Sequence, residues 1–251
     1  MFSRFFARKS SSGGILPLAW DMHAHWLPGV DDGVAHDTES FEVLRGLIAL
    51  GYQGAVATPH IYNGIFDNSE SQLRRHFADF QAKAAVEVPG FRMQLSAEYM
   101  FDEIFCDRLL ADDQELLFFG PRRDLLLVEL PVSGEPAALG EALDHFRRRK
   151  KRMIIAHVER YGYATRGAGL DKLCEWKSRG ALLQLNASSC AGAYGGTIRG
   201  TARQIWREGF IDVVGSDLHH LTPGLKSHAD GLAWLAEHPQ DGFGFNREVA
   251  I

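Results

Sequence analysis

Asp124-Leu125-Leu126-Leu127-Val128-Glu129 is the stretch that decides the fold, because an unbroken apolar run ends there at a carboxylate. A run that is apolar at every position, rather than at alternate positions, favours a strand buried on both faces of a parallel sheet. Residues 124–128 therefore predict a strand. Similar runs predict six more strands, at residues 15–20, 54–57, 92–96, 152–155, 181–185 and 211–214.

Helical patterns fill most of the segments between these strands. The first helix has Asp37 or Thr38 as its N-cap, Gly51 as its stop, and an apolar stripe formed by Phe41, Leu44, Leu47, Ile48 and Leu50. Further helices are predicted at residues 69–88, 138–151, 170–179, 198–208 and 225–237. Strand and helix thus alternate, which predicts one α/β domain over residues 15–251, either a barrel or a doubly wound sheet. Residues 1–14 are predicted to be a flexible tail.

Composition narrows the class of protein. The chain has 251 residues, of which 45% are hydrophobic, enough for a sizeable core. A net charge of -5 gives no broad basic field, so nucleic acid is disfavoured as the main partner, although a local basic patch could recruit a phosphate. The three cysteines form no Cys-x-x-Cys pair, which favours a reducing, cytoplasmic location. No run is long enough for a transmembrane segment.

Histidine and acidic residues recur where the predicted strands end. The carboxyl ends of parallel strands are where α/β folds collect their chemistry. His23 and His25 are alternate residues, so both imidazoles can point to one face, and Asp217 and His219 repeat that spacing. The full set of candidate metal ligands is His23, His25, Asp32, His60, Glu98, Glu129, His157, Asp217 and His219.

Each of these residues also has a structural interpretation. A His-x-His pair alone is more often structural than metal-bound, and the adjacent Asp31 and Asp32 could simply cap a turn. Glu98 and Glu129 could form ion pairs with arginines instead. Metal coordination nevertheless solves the desolvation cost of a carboxylate at the end of so apolar a strand.

The chemistry of the candidate ligands points to hydrolysis of phosphoesters. Imidazoles and carboxylates without thiolates fit zinc, manganese or iron, and nine ligands imply two or three metals sharing bridging carboxylates. Such a cluster can acidify a bound water to a hydroxide that attacks a phosphoester. Arg160 could donate two hydrogen bonds to a phosphate. His220 is predicted to face the substrate or to support the ligands.

Five motifs occur in a fixed order between residues 20 and 235: Asp21-Met22-His23-Ala24-His25, Leu27-Pro28-Gly29-Val30-Asp31-Asp32-Gly33, Thr58-Pro59-His60, Ala156-His157-Val158-Glu159-Arg160-Tyr161 and Gly215-Ser216-Asp217-Leu218-His219. Together they resemble the polymerase and histidinol phosphatase (PHP) superfamily, and within it the bacterial capsule-type protein tyrosine phosphatases. The resemblance implies a distorted seven-stranded TIM-like barrel with a three-metal site, usually supported by manganese. It also implies a phosphotyrosine substrate on a tyrosine kinase of polysaccharide export.

The same resemblance implies roles for particular residues. The nine candidate ligands would hold the metals, Arg160 would clamp the phosphate, and Glu129 and Asp217 would belong to the catalytic group. The family commonly has a second arginine after the last motif, where this chain has none, and Lys226 is the candidate substitute.

The leading hypothesis is therefore a metal-dependent tyrosine phosphatase that acts in capsule or exopolysaccharide regulation. No cysteine has an arginine six positions later, so a thiol-based mechanism is disfavoured. Two alternatives remain: a small-molecule phosphatase of the histidinol phosphate type, and a non-catalytic scaffold that binds an export partner. An oligomer is possible under each of these hypotheses.

Overall fold

Parallel strands form the centre of the computed structural model, which describes residues 18–165, 170–241 and 243. The predicted tail, residues 1–14, lies outside the described residues. The strands are β1 Trp20–Ala24, β2 Gly54–Ala57, β3 His60–Ile61, β4 Arg92–Leu95, β5 Glu98–Met100, β6 Leu125–Glu129, β7 Arg152–Ile155, β8 Leu182–Asn186 and β9 Val213–Gly215. Every paired strand is parallel to its neighbour.

These nine segments form seven runs of strand, because two of the runs are interrupted. β2 and β3 flank Thr58-Pro59, and β4 and β5 flank Ser96-Ala97. The backbone amide of Ser96 donates to the Ala57 carbonyl at 2.8 Å, and that of Glu98 donates to the Pro59 carbonyl at 3.0 Å, so the two runs stay paired across the interruption. Proline lacks an N–H group and breaks the ladder at this point.

The sheet curls until its first and last strands meet. One sheet has the order β1-β2-β4, and the other has the order β3-β5-β6-β7-β8-β9. A parallel bridge joins Ala24 to Leu218, and the backbone amide of Asp217 donates to the carbonyl of His23 at 2.8 Å. The seven-stranded barrel is therefore confirmed.

Helices surround the barrel. They are α1 Asp37–Ala49, α2 Glu70–Glu87, α3 Glu103–Leu110, α4 Leu139–Arg148, α5 Gly162–Thr165, α6 Asp171–Ser178, α7 Ala187–Ala191, α8 Gly195–Arg207 and α9 Gly224–Glu237, with one 3-10 turn at Val158–Arg160. All six predicted helices are present, and α3, α5 and α7 were not predicted. Within the part of the chain that is described, no helix is long and apolar enough to cross a membrane.

Two boundary predictions were wrong. The first strand was expected at residues 15–20, of which 15–17 lie outside the described residues. β1 spans Trp20–Ala24, so Asp21 and His23 lie inside the strand. Both side chains are fully buried, and such buried polar residues conceal a strand from a search for apolar runs. The N-cap of α1 is His36, which makes no side-chain cap, so Asp37 falls inside the first turn. There its carboxylate is favoured by the helix dipole.

The alternation of side chains on the strands builds the floor of the site. Leu125 and Leu127 belong to a small buried cluster made almost entirely of strand residues, which lies inside the barrel. Leu126 and Val128 belong instead to the larger cluster that contains the helix residues. Glu129 follows Leu127 on the inward face, so it points into the mouth above this cluster.

Candidate metal centre

A cavity of about 450 Å³ opens at the carboxyl ends of the strands. Most of the predicted metal ligands line it: Asp32, His60, Glu98, Glu129, His157, Asp217 and His219. His23 and His25 are fully buried and are in contact with its acidic residues from below. The structure therefore brings all nine candidate ligands together.

The deepest group of ligands consists of His23, His25, Glu98 and Asp217. The Nε2 atoms of His23 and His25 lie 3.2 Å apart. One oxygen of Glu98, Oε2, is 3.1 Å from the first of these nitrogens and 3.3 Å from the second. Asp217 Oδ1 lies 3.3 Å from the first and 3.5 Å from the second. Four donor atoms thus face one small volume.

The partners of the other ring nitrogens explain how these imidazoles are oriented. The Nδ1 atom of His23 donates to Gln184 Oε1 at 3.2 Å, and that of His25 donates to Asp31 Oδ2 at 2.7 Å. Both partners are acceptors, so in each neutral ring the proton is on Nδ1 and the lone pair is on Nε2. Two lone pairs that point at each other and at a carboxylate are the arrangement expected around a cation.

Two further groups of ligands share atoms with the first. One consists of His25, Asp32, His60 and His219, and the other of His60, Glu98 and Glu129. His157 joins through Nε2, which lies 3.0 Å from Glu98 Oε1 and 3.6 Å from Glu129 Oε1. Glu98 belongs to two of the three groups and would help to hold the ions of both, so the geometry fits more than one metal ion.

The electrostatics of the cluster also fit bound cations. Burial raises the pKa of Glu129 to about 8, and the neighbouring carboxylate of Glu98 adds to this shift. Burial would lower the pKa of His23, but the carboxylates of Glu98 and Asp217 outweigh it and raise the pKa to about 9. Protons bound to Glu129 and His23 thus balance the negative charge of the neighbouring carboxylates. Bound divalent cations would supply the balancing positive charge directly.

Two of the ligands stand on unusual backbone. His157 has a φ of 29° and Asp217 a φ of 53°, in the left-handed region that favours glycine. Each follows the end of a strand, where the turn directs the side chain into the cavity. Such conformations cost on the order of 1–3 kcal/mol each and persist where the surrounding structure fixes them.

Arg160 lies beside the metal ligands, on the 3-10 turn that follows His157. Its Nη1 atom is 3.5 Å from Asp217 Oδ2, and its guanidinium lies 4.4 Å from the centre of the Tyr194 ring. The turn is held by Glu159, whose buried Oε1 accepts hydrogen bonds from Ser189 Oγ at 2.6 Å and from the backbone amide of Asn186 at 3.2 Å. The arginine is thereby held at the edge of the cavity.

The structure does not bring the other two predicted substrate-binding residues to the cavity. His220 is 57% exposed in its side chain and lies 3.6 Å from Glu39. Lys226 is 76% exposed, stands on α9 and pairs with Asp230. Neither side chain lines the cavity that contains Arg160.

Sequence reasoning missed the neutral residues that support the ligands. Gln184 also accepts a hydrogen bond from the backbone amide of His157 at 2.6 Å and donates to Asn186 at 2.8 Å. Asn186 in turn donates to Asp217 Oδ2 at 2.7 Å. The available signal was two amides at alternate positions in an otherwise apolar strand. Asp31, for which a capped turn was an equal alternative, holds His25.

Comparison with known proteins agrees with this geometry. The family described as "Capsular polysaccharide synthesis, CpsB/CapC" matches residues 19–233. The tyrosine-protein phosphatase YwqE of Bacillus subtilis is 24% identical over 207 residues, which cover 80% of this chain and 77% of YwqE.

Two solved structures share the fold. One comes from the work on YwqE of Bacillus subtilis and CpsB of Streptococcus pneumoniae, which are described as metal-dependent tyrosine phosphatases. Its TM-score is 0.74 and its sequence is 20% identical, and the match covers 92% of this chain and 90% of that one. The other is histidinol phosphate phosphatase of Lactococcus lactis, with a TM-score of 0.55, 12% identity and coverage of 90% and 94%. The expected distorted TIM-like barrel and the capsule-type resemblance are confirmed. This chain belongs to the CpsB/CapC family of capsular polysaccharide synthesis.

Proposed function

We propose that the protein is a metal-dependent phosphatase that hydrolyses phosphotyrosine in proteins. The observation that carries this proposal is the convergence of imidazole lone pairs and carboxylates next to the guanidinium of Arg160. The relatives named as tyrosine phosphatases support the same substrate.

The nine ligands would hold two or three divalent cations, and manganese is our proposal, with zinc or iron as alternatives. When bound, the metals supply Lewis acidity and an activated water for attack on phosphorus. Arg160 can donate two parallel hydrogen bonds to the phosphoryl oxygens and balance the charge that develops on them. Asp217 keeps that guanidinium at the edge of the cavity through its second oxygen. Glu129 lines the same cavity, with its Oε1 atom 3.6 Å from His157 Nε2.

The rim of the cavity suits an aromatic alcohol. A tight turn between Tyr62 and Phe66 forms one lip, and the ring of Phe66 stacks on His60 with 5.1 Å between ring centres. Pro131 and Val132 belong to the other lip. Apolar side chains on both lips can flank a phenyl ring while the phosphoryl group reaches Arg160. Because phenol has a pKa near 10, a tyrosine leaving group needs little help from a general acid.

The partner we propose is a phosphotyrosine protein of capsule or exopolysaccharide export, in particular the tyrosine kinase of that system. Membership of the capsular family supports this assignment. We place the reaction in the cytoplasm, since Cys106, Cys174 and Cys190 are all free thiols.

The substitution His157→Ala tests the site. We expect it to abolish release of phosphate from a phosphotyrosine peptide with manganese, because it removes a donor that faces both Glu98 and Glu129. His145→Ala is the matched control, since His145 lies on α4 and pairs with Asp112 at 2.9 Å. Circular dichroism and metal content would be measured for both variants. A near-native rate in His157→Ala would remove this residue from the site.

The same assay separates the alternatives. Hydrolysis of histidinol phosphate without hydrolysis of the peptide would identify a small-molecule phosphatase. Less than one bound metal per chain, together with no manganese-stimulated hydrolysis of p-nitrophenyl phosphate, would identify a scaffold.

A further inference from the structure

Six consecutive cationic residues join α4 to β7: Arg147-Arg148-Arg149-Lys150-Lys151-Arg152. The chain as a whole carries a net charge of -5, so this run is a strong local exception. The proposed phosphatase site uses none of these residues. The proposed phosphatase activity therefore does not account for this cluster of positive charge.

The run lies at the end of the barrel that is opposite the metal centre. Arg152 is the first residue of β7, and Arg122 and Arg123 come just before β6. The metal ligands of the same two strands, Glu129 and His157, lie at or beyond their carboxyl ends. At about 3.3 Å per residue, the two ends are separated by roughly 15 Å of strand.

A second cavity, of about 340 Å³, opens at this end. Its lining combines one carboxylate, Asp124, and Gly180 with five cations, which are Arg122, Arg147, Lys150, Lys151 and Arg152. We call these five cations the basic surface.

The neighbouring acids do not neutralise the basic surface. Asp124 is shared by Arg122 at 3.0 Å and Arg152 at 3.7 Å. Arg147 pairs with Asp144 at 3.2 Å, but Asp144 also accepts a 2.6 Å contact from Arg179. Among the described residues, no carboxylate pairs with Lys150.

The crowding of positive charge affects the partly buried side chain of Lys151. Lys151 places its Nζ atom 3.6 Å from the centre of the Phe118 ring, so it is held by an aromatic face and not by an acid. Partial burial, with Arg149 as a second cause, lowers its pKa. An anion that settled on this surface would relieve the repulsion.

We propose that the basic surface binds the anionic phospholipids of a membrane surface, with a headgroup phosphate in the cavity. Clusters of four to eight lysines and arginines are typical of sites that bind anionic lipids, and each basic residue near the membrane surface contributes about 1 kcal/mol. None of the large exposed apolar side chains of the described residues lines this cavity, so the contact made there is electrostatic. Docking by this end turns the metal centre away from the lipid, where a protein substrate can reach it.

Two other polyanions fit this surface less well. Single-stranded nucleic acid is bound through exposed aromatic side chains on which bases stack, and the ring of Phe118 is already covered by Lys151. A peptide held here would be on the far side of the barrel from the cavity that hydrolyses it.

The experiment is co-sedimentation of the full-length, metal-loaded protein with vesicles. We expect binding to vesicles that mix phosphatidylserine with phosphatidylcholine, and none to phosphatidylcholine alone. Raising the salt to about 1 M, where the Debye length is about 3 Å, will release the protein. The triple variant R122Q/R147Q/K150Q will bind on the order of a hundredfold more weakly, from about fivefold per basic residue.

The control variant R45Q/K83Q/K172Q loses the same net charge from exposed cations on α1, α2 and α6. It will bind as the unmodified protein does, and both variants will keep their rate on p-nitrophenyl phosphate. Equal loss in the two variants, or equal binding to both kinds of vesicle, would overturn the proposal. So would tighter binding to an oligonucleotide or to a polyglutamate peptide than to vesicles at the same salt.

Discussion

Gln184 controls three parts of the metal centre through one side chain. Its oxygen meets the Nδ1 of His23 at 3.2 Å and the backbone amide of His157 at 2.6 Å. Its amide nitrogen donates to Asn186, which holds Asp217. A neutral residue that does not line the cavity thus fixes the orientation of three candidate ligands.

Replacing Gln184 by methionine keeps most of its volume and removes these hydrogen bonds. We expect manganese affinity to fall about 10- to 100-fold, as it does when the partners of metal-binding histidines are removed. Isothermal titration calorimetry would measure the change, with Gln114→Met as control, because Gln114 is exposed and its side chain donates to the Asp112 carbonyl, away from the candidate ligands. An unchanged dissociation constant would show that Gln184 merely fills space.

At the scale of single residues, the sequence predicted the candidate ligands that the structure brings together, and it missed the neutral residues that support them. Imidazoles and carboxylates at strand ends are recognisable because burying them unpaired is costly. Gln184 and Asn186 carry no charge, so their only sequence signal is their alternate spacing in an otherwise apolar strand. Their role becomes visible only when β8 lies beside β7 and β9.

Among the elements, α9 depends on a close approach to α7. A Cβ atom added at Gly231 would lie 1.9 Å from the Ala187 carbonyl oxygen, so the helix could not keep its position. On α8, a Cβ atom at Gly200 would meet nothing within 4 Å. Gly231 therefore requires the absence of a side chain, whereas Gly200 has room for one.

The substitution Gly231→Ala will lower the free energy of unfolding by about 1–3 kcal/mol or more, because the helix must shift outward. Gly200→Ala, at an open helical position, will raise it by up to about 1 kcal/mol. Urea denaturation measures the free energy of unfolding of both variants. Equal effects would mean that the distance between α7 and α9 is not the limiting contact.

Sequence patterns predicted which strands and helices exist more accurately than the residues at which they begin and end. The strands at residues 54–57 and 152–155 were predicted with the bounds that β2 and β7 have. β1 was placed too early, because Asp21 and His23 break its apolar pattern. The five-residue helix α7 is too short to show a period, and its position depends on packing against α9.

For the whole molecule, His228 makes stability depend on pH. Its imidazole is fully buried on α9 with the Tyr52 hydroxyl 2.8 Å from Nε2, and burial lowers its pKa to about 3. In the unfolded chain a histidine titrates near 6.5. The unfolded state therefore binds more protons between these two values, and the stability that neutral His228 contributes is lost as the pH falls from about 6.5 towards 3.

We expect the free energy of unfolding of His228→Gln to fall less steeply over this range, by up to about 1.4 kcal/mol per pH unit. Urea denaturation at several pH values between 7 and 4 gives the slopes. His76→Gln, on the exposed face of α2, serves as the control. Parallel curves for His228→Gln and the unmodified protein would show that another group dominates acid unfolding.

The left-handed backbone at His157 and Asp217 has an evolutionary consequence. Glycine would adopt these conformations without strain, so selection for the ligands and selection for a durable fold act in opposite directions there. In a lineage that no longer needs the enzyme, glycine at position 157 or 217 would relieve this backbone strain. A descendant that kept the barrel as a binding protein would thus lose its chemistry first at the two strand ends where the ligand is most costly to hold.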